Sequence, residues 1–150
     1  MLRSSTSGPS FRFDTFASAS EARACEGEAY ERILVVRGAW SAAPTHAAFA
    51  EWQVGDPERS HEFEESRRRL FDLRRENLPR FAVDWLLKSL DREGRYLVLG
   101  LYGDEESAAR LCRLHLAIQL YIRAHPPSEY GAIDLTGLCV FRVESASLPD

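Results

Sequence analysis

The sequence predicts a single two-layer domain of the α/β or α+β class, a sheet of three or four strands covered by helices. Three observations carry that expectation. Residues 95–144 read strand, helix, strand, with Pro126-Pro127 stopping the helix. Ile33-Leu-Val-Val36 is a short apolar run, β-branched at three positions, as a central strand requires. Asp56-Pro57 opens a long charged segment with an N-cap and a proline at the first helical position.

Taken in order, residues 1–10 are rich in Ser, Thr, Gly and Pro and read as a flexible tail. The domain is expected over 11–144, and 145–150 reads as a second tail. Phe11 to Phe16 alternates and predicts an edge strand. Ser18 and Glu21 have capping-box spacing before a short helix, Ala22 to Tyr30. After the strand at 33–36, Gly38 to Ser41 turns the chain. Pro44 predicts a helix carrying His46, Phe49 and Trp52, closed by Gly55.

The helix from Pro57 to Asn77 is acidic at its start and arginine-rich at its end, which suits the helix dipole. Glu64 with Arg68, and Glu65 with Arg69, are spaced as i,i+4 ion pairs. Another helix is expected from Arg80 to Asp91, where Phe81, Val83, Trp85, Leu86, Leu87 and Leu90 make a wide apolar face and Gly94 the stop. Then come a strand at Tyr96–Tyr102, a helix through Leu111–Ile122, and a strand at Ile133–Val143. That last helix is apolar on nearly every side, so it is expected to be buried. Its flanking strands predict a C-terminal strand-helix-strand unit. The order of elements is also that of a ferredoxin-like sandwich with an inserted helical pair.

Composition narrows function only by exclusion. A chain of 150 residues is long enough to bury a core without disulfide or metal. The net charge of −4 argues against general affinity for nucleic acid or anionic membrane. Of nineteen basic residues only Lys88 is a lysine. Cys25, Cys112 and Cys139 have no C-x-x-C spacing, which predicts free thiols and a cytoplasmic protein. No run is long and apolar enough for a membrane span. No cofactor is expected, and no metal site.

Several constellations are candidates for function. Glu64, Glu65, Arg67, Arg68, Arg69, Arg74 and Arg75 form charge-segregated surfaces on one helix. They predict a non-catalytic interaction or regulatory module that binds a protein partner, since arginine is enriched at interfaces. The alternative is a small enzyme or ligand-binding domain. There Cys112 and His115, three apart on one helix face, could supply a thiolate or a base. Arg37, Trp40 and His46 at one end of the sheet could line a pocket wall. A second alternative is nucleic-acid binding by the patch from Arg67 to Arg80. Its lack of stacking aromatics weakens it. His61 with Glu65 has the spacing of two metal ligands without a third. Gly100 to Glu106 lies after a strand and before a helix, but its carboxylates would repel a phosphate and read as a cap. A homodimer formed through an exposed sheet edge is also expected.

Overall fold

The computed structural model describes residues 28–77, 80–125 and 133–144, with Ser18, Ser20, Glu21 and Ala24, and within 73–77 the backbone only. Five strands and two helices follow in the order β1 (Tyr30–Arg37), β2 (His46–Val54), α1 (Ser60–Asn77), β3 (Phe81–Ser89), β4 (Arg95–Tyr102), α2 (Glu105–Ala124) and β5 (Ile133–Arg142). A 3-10 turn at Pro57–Arg59 leads into α1. The strands form one sheet in the order β1-β3-β4-β2-β5. Every neighbouring pair is antiparallel. β4 and β5 both run antiparallel to β2, so α2 links two parallel strands with a third between them. The architecture is two-layer α+β with a five-stranded sheet, one strand more than the upper expectation.

Two of the four helices expected before residue 92 are strands. Residues 46–54 form β2, not a helix opened by Pro44. Ala48, Ala50, Trp52 and Val54 are all buried on one face, a period of two. The segment 81–89 forms β3. Its wide helical face is the two apolar sides of an interior strand. Register places Val83, Trp85 and Leu87 beside Leu101, Leu99 and Leu97, and Asp84 and Leu86 on the opposite side beside Gly100 and Val98. Short runs that are apolar on both faces satisfy either period, and pairing with β1 and β4 decides the outcome. Gly94 belongs to the β3–β4 turn. It adopts φ 72°, which glycine reaches without strain.

β1 extends from Tyr30, so Tyr30 is not the end of a helix. The Ser18 hydroxyl accepts from the Glu21 N–H, one half of a capping box. The tails, Phe11–Phe16 and Cys25 lie outside the described residues. α2 begins with the Asp104 carboxylate accepting from the Ser107 N–H at 2.7 Å. That hydrogen bond, with Arg80 beside it, holds the Asp104 pKa below the ordinary carboxylate value.

α1 packs on β1 and β3, and α2 on β5, β2 and β4. The core beneath them contains Ala50, Trp52, Phe63, Phe71, Leu86, Tyr96 and Val98. A second cluster, Ala47, Ala82, Val83, Leu99 and Leu101, gathers with Phe49, Trp85 and Leu87. α2 is not buried all round. Ala108, Leu111, His115 and Gln119 face inward. Leu116, Leu120 and Tyr121 are 49%, 61% and 50% exposed.

Candidate functional site on the helix-covered face

The helix-covered face holds polar groups that a plain core would exclude. On α1, Phe63, Arg67 and Phe71 recur every four residues and share one side. Phe63 and Phe71 are buried, and Arg67 between them is only 2% exposed. Its guanidinium lies 4.4 Å from the Trp52 ring centre and 4.6 Å from that of Phe63. Stacking on two aromatic faces offsets part of the cost of burying the charge.

Trp52 meets α2 as well. Its indole N–H donates to Nδ1 of His115 at 3.0 Å, and both side chains are fully buried. An Nδ1 that accepts carries no proton, so the neutral ring has its hydrogen on Nε2. His115 is four residues from Leu111 and from Gln119. It is buried because it sits on the stripe that packs against β2 and β5. The Gln119 side chain accepts from the Leu135 N–H at 2.7 Å, which fixes that stripe against β5. Trp52 thus marks the seam where the territories of the two helices meet. A cation, an imidazole and a large indole converge there. Such a set can orient an anionic, planar molecule and stabilise negative charge as it forms.

A polar border lies along β3 and β4. The Tyr96 hydroxyl donates to Oε1 of Glu64 at 2.6 Å, and Lys88 Nζ is 3.2 Å from the same oxygen. Burial, then the Glu64 contact, raises the Tyr96 pKa. At the other end of the sheet the Tyr102 hydroxyl donates to Oδ1 of Asp84 at 3.0 Å, with both residues fully buried. Gly100 leaves room for them. A Cβ there would fall on Asp84 Oδ1 and 2.6 Å from Tyr102 Oη.

The charged surface expected on α1 is divided. Arg67 points into the core, while Arg68 and Arg69 are exposed. Glu64 pairs with Lys88 and Tyr96 rather than with Arg68. Arg68 instead reaches Glu65, at 3.8 Å. The side chains of Arg74 and Arg75 lie outside the described residues. Arg80 sits apart, over Trp40 at 5.5 Å and in an ion pair with Asp104 at 3.0 Å. Arg67 and Arg80, the two ends of the patch proposed for nucleic acid, therefore lie in different surroundings, one in the core and one against Trp40 and Asp104.

Cys112 and His115 share the helix, His115 fully buried against Trp52 and Cys112 beside β5. Cys112 is half-buried, its Sγ 3.7 Å from the Cys139 carbonyl. Burial, helped by Cys139, pushes its thiol up to about 11, away from an activated thiolate. Arg37, Trp40 and His46 lie where β1 ends and β2 begins. Trp40 packs on Gly103. Thr45 Oγ1 is 2.9 Å from His46 Nδ1 and donates to the Gly103 carbonyl. Arg37 instead borders an open cavity of about 360 Å³ with Leu34, Val35, Val36, Arg68 and Asp72. His61 is exposed. Among the described residues no three His, Cys, Asp or Glu side chains are grouped to hold a metal. Reading by sequence missed Trp52 as a site residue, and also Asp84 and Tyr102. The four-residue spacing of Phe63, Arg67 and Phe71 was the available signal for Arg67.

No protein-family model and no curated protein matches the chain. Solved structures do. An uncharacterized ferredoxin-fold protein from Listeria monocytogenes, described as related to antibiotic biosynthesis monooxygenases, is similar with a TM-score of 0.56 at 14% identity, over 81% of this chain and 68% of that one. A monooxygenase-like protein from Listeria innocua gives 0.53 at 16%, over the same shares. A heme-degrading enzyme from Listeria monocytogenes gives 0.47 at 16%, over 71% and 68%. The ferredoxin-like fold is therefore shared. The two neighbours above 0.5, described as monooxygenase-related, together with the burial of Arg67, overturn the reading of a non-catalytic module built on a charged α1. No helix among the described residues is long and apolar enough to cross a membrane.

Proposed function

We propose that the chain is a small-molecule-binding, enzyme-like domain whose site lies at the seam between α1 and α2, over Trp52. One observation carries this reading: a buried guanidinium stacked on Trp52, beside a histidine whose tautomer that same indole sets. Arg67 supplies positive charge where low dielectric strengthens it. His115, through its Nδ1, fixes the orientation of the Trp52 indole. Trp52 and Phe63 provide flat apolar walls. The ligand class that fits is a planar organic anion, such as a phenolate or an enolate. The descriptions of the fold neighbours make oxygenation the activity to assay first. Cys112 and Cys139 are free thiols, which supports a cytoplasmic location.

The test is a titration of the purified protein with a panel of phenols and naphthols, read by tryptophan fluorescence and by oxygen uptake. Saturable quenching that Arg67→Met weakens at least about tenfold, and Arg68→Met leaves unchanged, is the expected result. No saturable quenching, or equal loss in both variants, rejects the site.

A further inference from the structure

The open cavity between β1 and α1 is used neither by the core nor by the seam. Its lining takes four consecutive residues of β1, Leu34, Val35, Val36 and Arg37, with Arg68 and Asp72 from α1. Successive side chains of a strand point to opposite faces, so an opening that touches four in a row lies along the strand's edge. β1 is an edge strand, with β3 as its one partner among the described residues. The Gly38 N–H donates to the Ala82 carbonyl, toward β3. Antiparallel pairs alternate, so Val36 and Leu34, opposite Asp84 and Leu86, also exchange their bonds with β3. Val35 and Arg37 therefore direct their backbone N–H and C=O outward, along the cavity.

A row of outward main-chain groups is a template for another extended chain. The usable row is short. The register shifts between Arg32 and Leu34, and Glu31 and Arg32 beyond that bulge are exposed charges, which blunt that half of the edge. What remains is Leu34 to Arg37, apolar at three positions, with Arg68 and Asp72 of α1 one helical turn apart alongside. The lining carries two guanidinium groups against one carboxylate. Glu65 lies 3.8 Å from Arg68, but their side chains are 48% and 54% exposed, so that pair is weak. An acidic strand therefore fits the slot better than a basic one.

We propose that the edge of β1 is a peptide-binding site, which takes a short extended acidic segment as an added strand beside Leu34–Arg37. The main chain of the ligand pairs with Val35 and Arg37, and its side chains alternate between the two faces of the sheet. One carboxylate then meets Arg68 on the helix side, and the next along the chain meets Arg37 on the other. The sequence read by the slot is thus two adjacent acidic residues in a β-forming segment. This inference is independent of the ligand reading at the seam.

The test is fluorescence anisotropy of the full chain with a fluorescein-labelled peptide of valine and threonine that carries two adjacent central glutamates. Saturable binding is expected, at least about tenfold tighter than to the same peptide with two arginines. Two N-methylated versions, one for each set of alternate residues, read the ladder directly. One should lose at least about tenfold in affinity and the other should keep it, because only one edge of the peptide pairs. Val35→Pro removes an outward N–H and no bond to β3, so it should weaken binding about tenfold with an unchanged circular-dichroism spectrum. Arg68→Glu should weaken the glutamate peptide and strengthen the arginine one. No saturable binding of the glutamate peptide, or equal binding of the two N-methylated versions, overturns the site. A dimer in sedimentation velocity that Val35→Pro dissolves, without peptide binding, gives the edge to a second copy of this chain and overturns the peptide reading.

Discussion

The two helices differ in opposite ways from what their sequences suggest. α1 is charged along most of its length, yet it drives Phe63, Arg67 and Phe71 into the core. α2 is apolar on nearly every side, yet it leaves Leu116, Leu120 and Tyr121 in water. Content does not decide burial. Position on the stripe that meets the sheet does, and a residue on that stripe is buried whatever its chemistry. Arg67 tolerates this because aromatic rings and an aliphatic stem accompany the charge.

The comparison is sharpest at the largest effect. Phe71→Ala on α1 should cost about 3–5 kcal/mol, whereas Leu120→Ala on α2 should change monomer stability by no more than about 0.5 kcal/mol. Urea unfolding at low protein concentration separates them, and similar losses would break the contrast. Next, Arg67→Ala should destabilise by about 2 kcal/mol through lost packing and stacking, and Arg68→Ala by less than about 0.5 kcal/mol. Gly100→Ala tests the sheet beneath. With Asp84 and Tyr102 both enclosed, overpacking of about 1–3 kcal/mol is expected in thermal melts.

Smaller effects concern the ends and flanks of α2. Asp104→Ala should cost about 1 kcal/mol as a lost N-cap. The folded Asp104 pKa is depressed, so its contribution is present above the unfolded value and is lost as pH falls through the folded one. Wild type and Asp104→Ala should therefore converge in stability on acidification below the ordinary carboxylate range. Cys112 moves the other way. Its pKa is raised to about 11, so the neutral thiol favours folding below the unfolded value, and that contribution fades as pH climbs toward 11. Alkylation of Cys112 at neutral pH, in a chain lacking the other two cysteines, should be slower than that of a free thiol. Fast alkylation would mean a more open helix flank.

Much of the fold was legible because local signals agreed with tertiary structure. Asp56-Pro57 and Asp104 start helices as capping chemistry requires, and β1, β4 and β5 contain their expected apolar runs. β2 and β3 were illegible for one physical reason. An interior strand shows apolar residues on both faces, and over nine residues that pattern also fits a helix. The error hid the site. Asp84 lies on the sheet's helix side only if 81–89 is a strand. Trp52 meets His115 only if 46–54 is one. His115 is visible in the sequence as a candidate, but helical spacing pairs it with Cys112, a neighbour along the helix. The residue that binds it comes from a strand far away in sequence, which no local spacing reports.

The strand order has a consequence for how the chain finds its structure. Among the described pairings, only β3 and β4 are neighbours in sequence, joined by the turn at Gly94. β1 must reach across β2 and α1 to find β3, and β5 closes on β2 with Arg142 opposite His46. Each of those pairings requires a long loop to close before any hydrogen bond rewards it. Contacts of this kind place refolding toward the millisecond-to-second end of single-domain rates, with the β3–β4 hairpin as the local starting point. The edge strand β5, which covers the flank of α2, is then a late arrival. Trp52 has its full set of neighbours only after that final strand is in place.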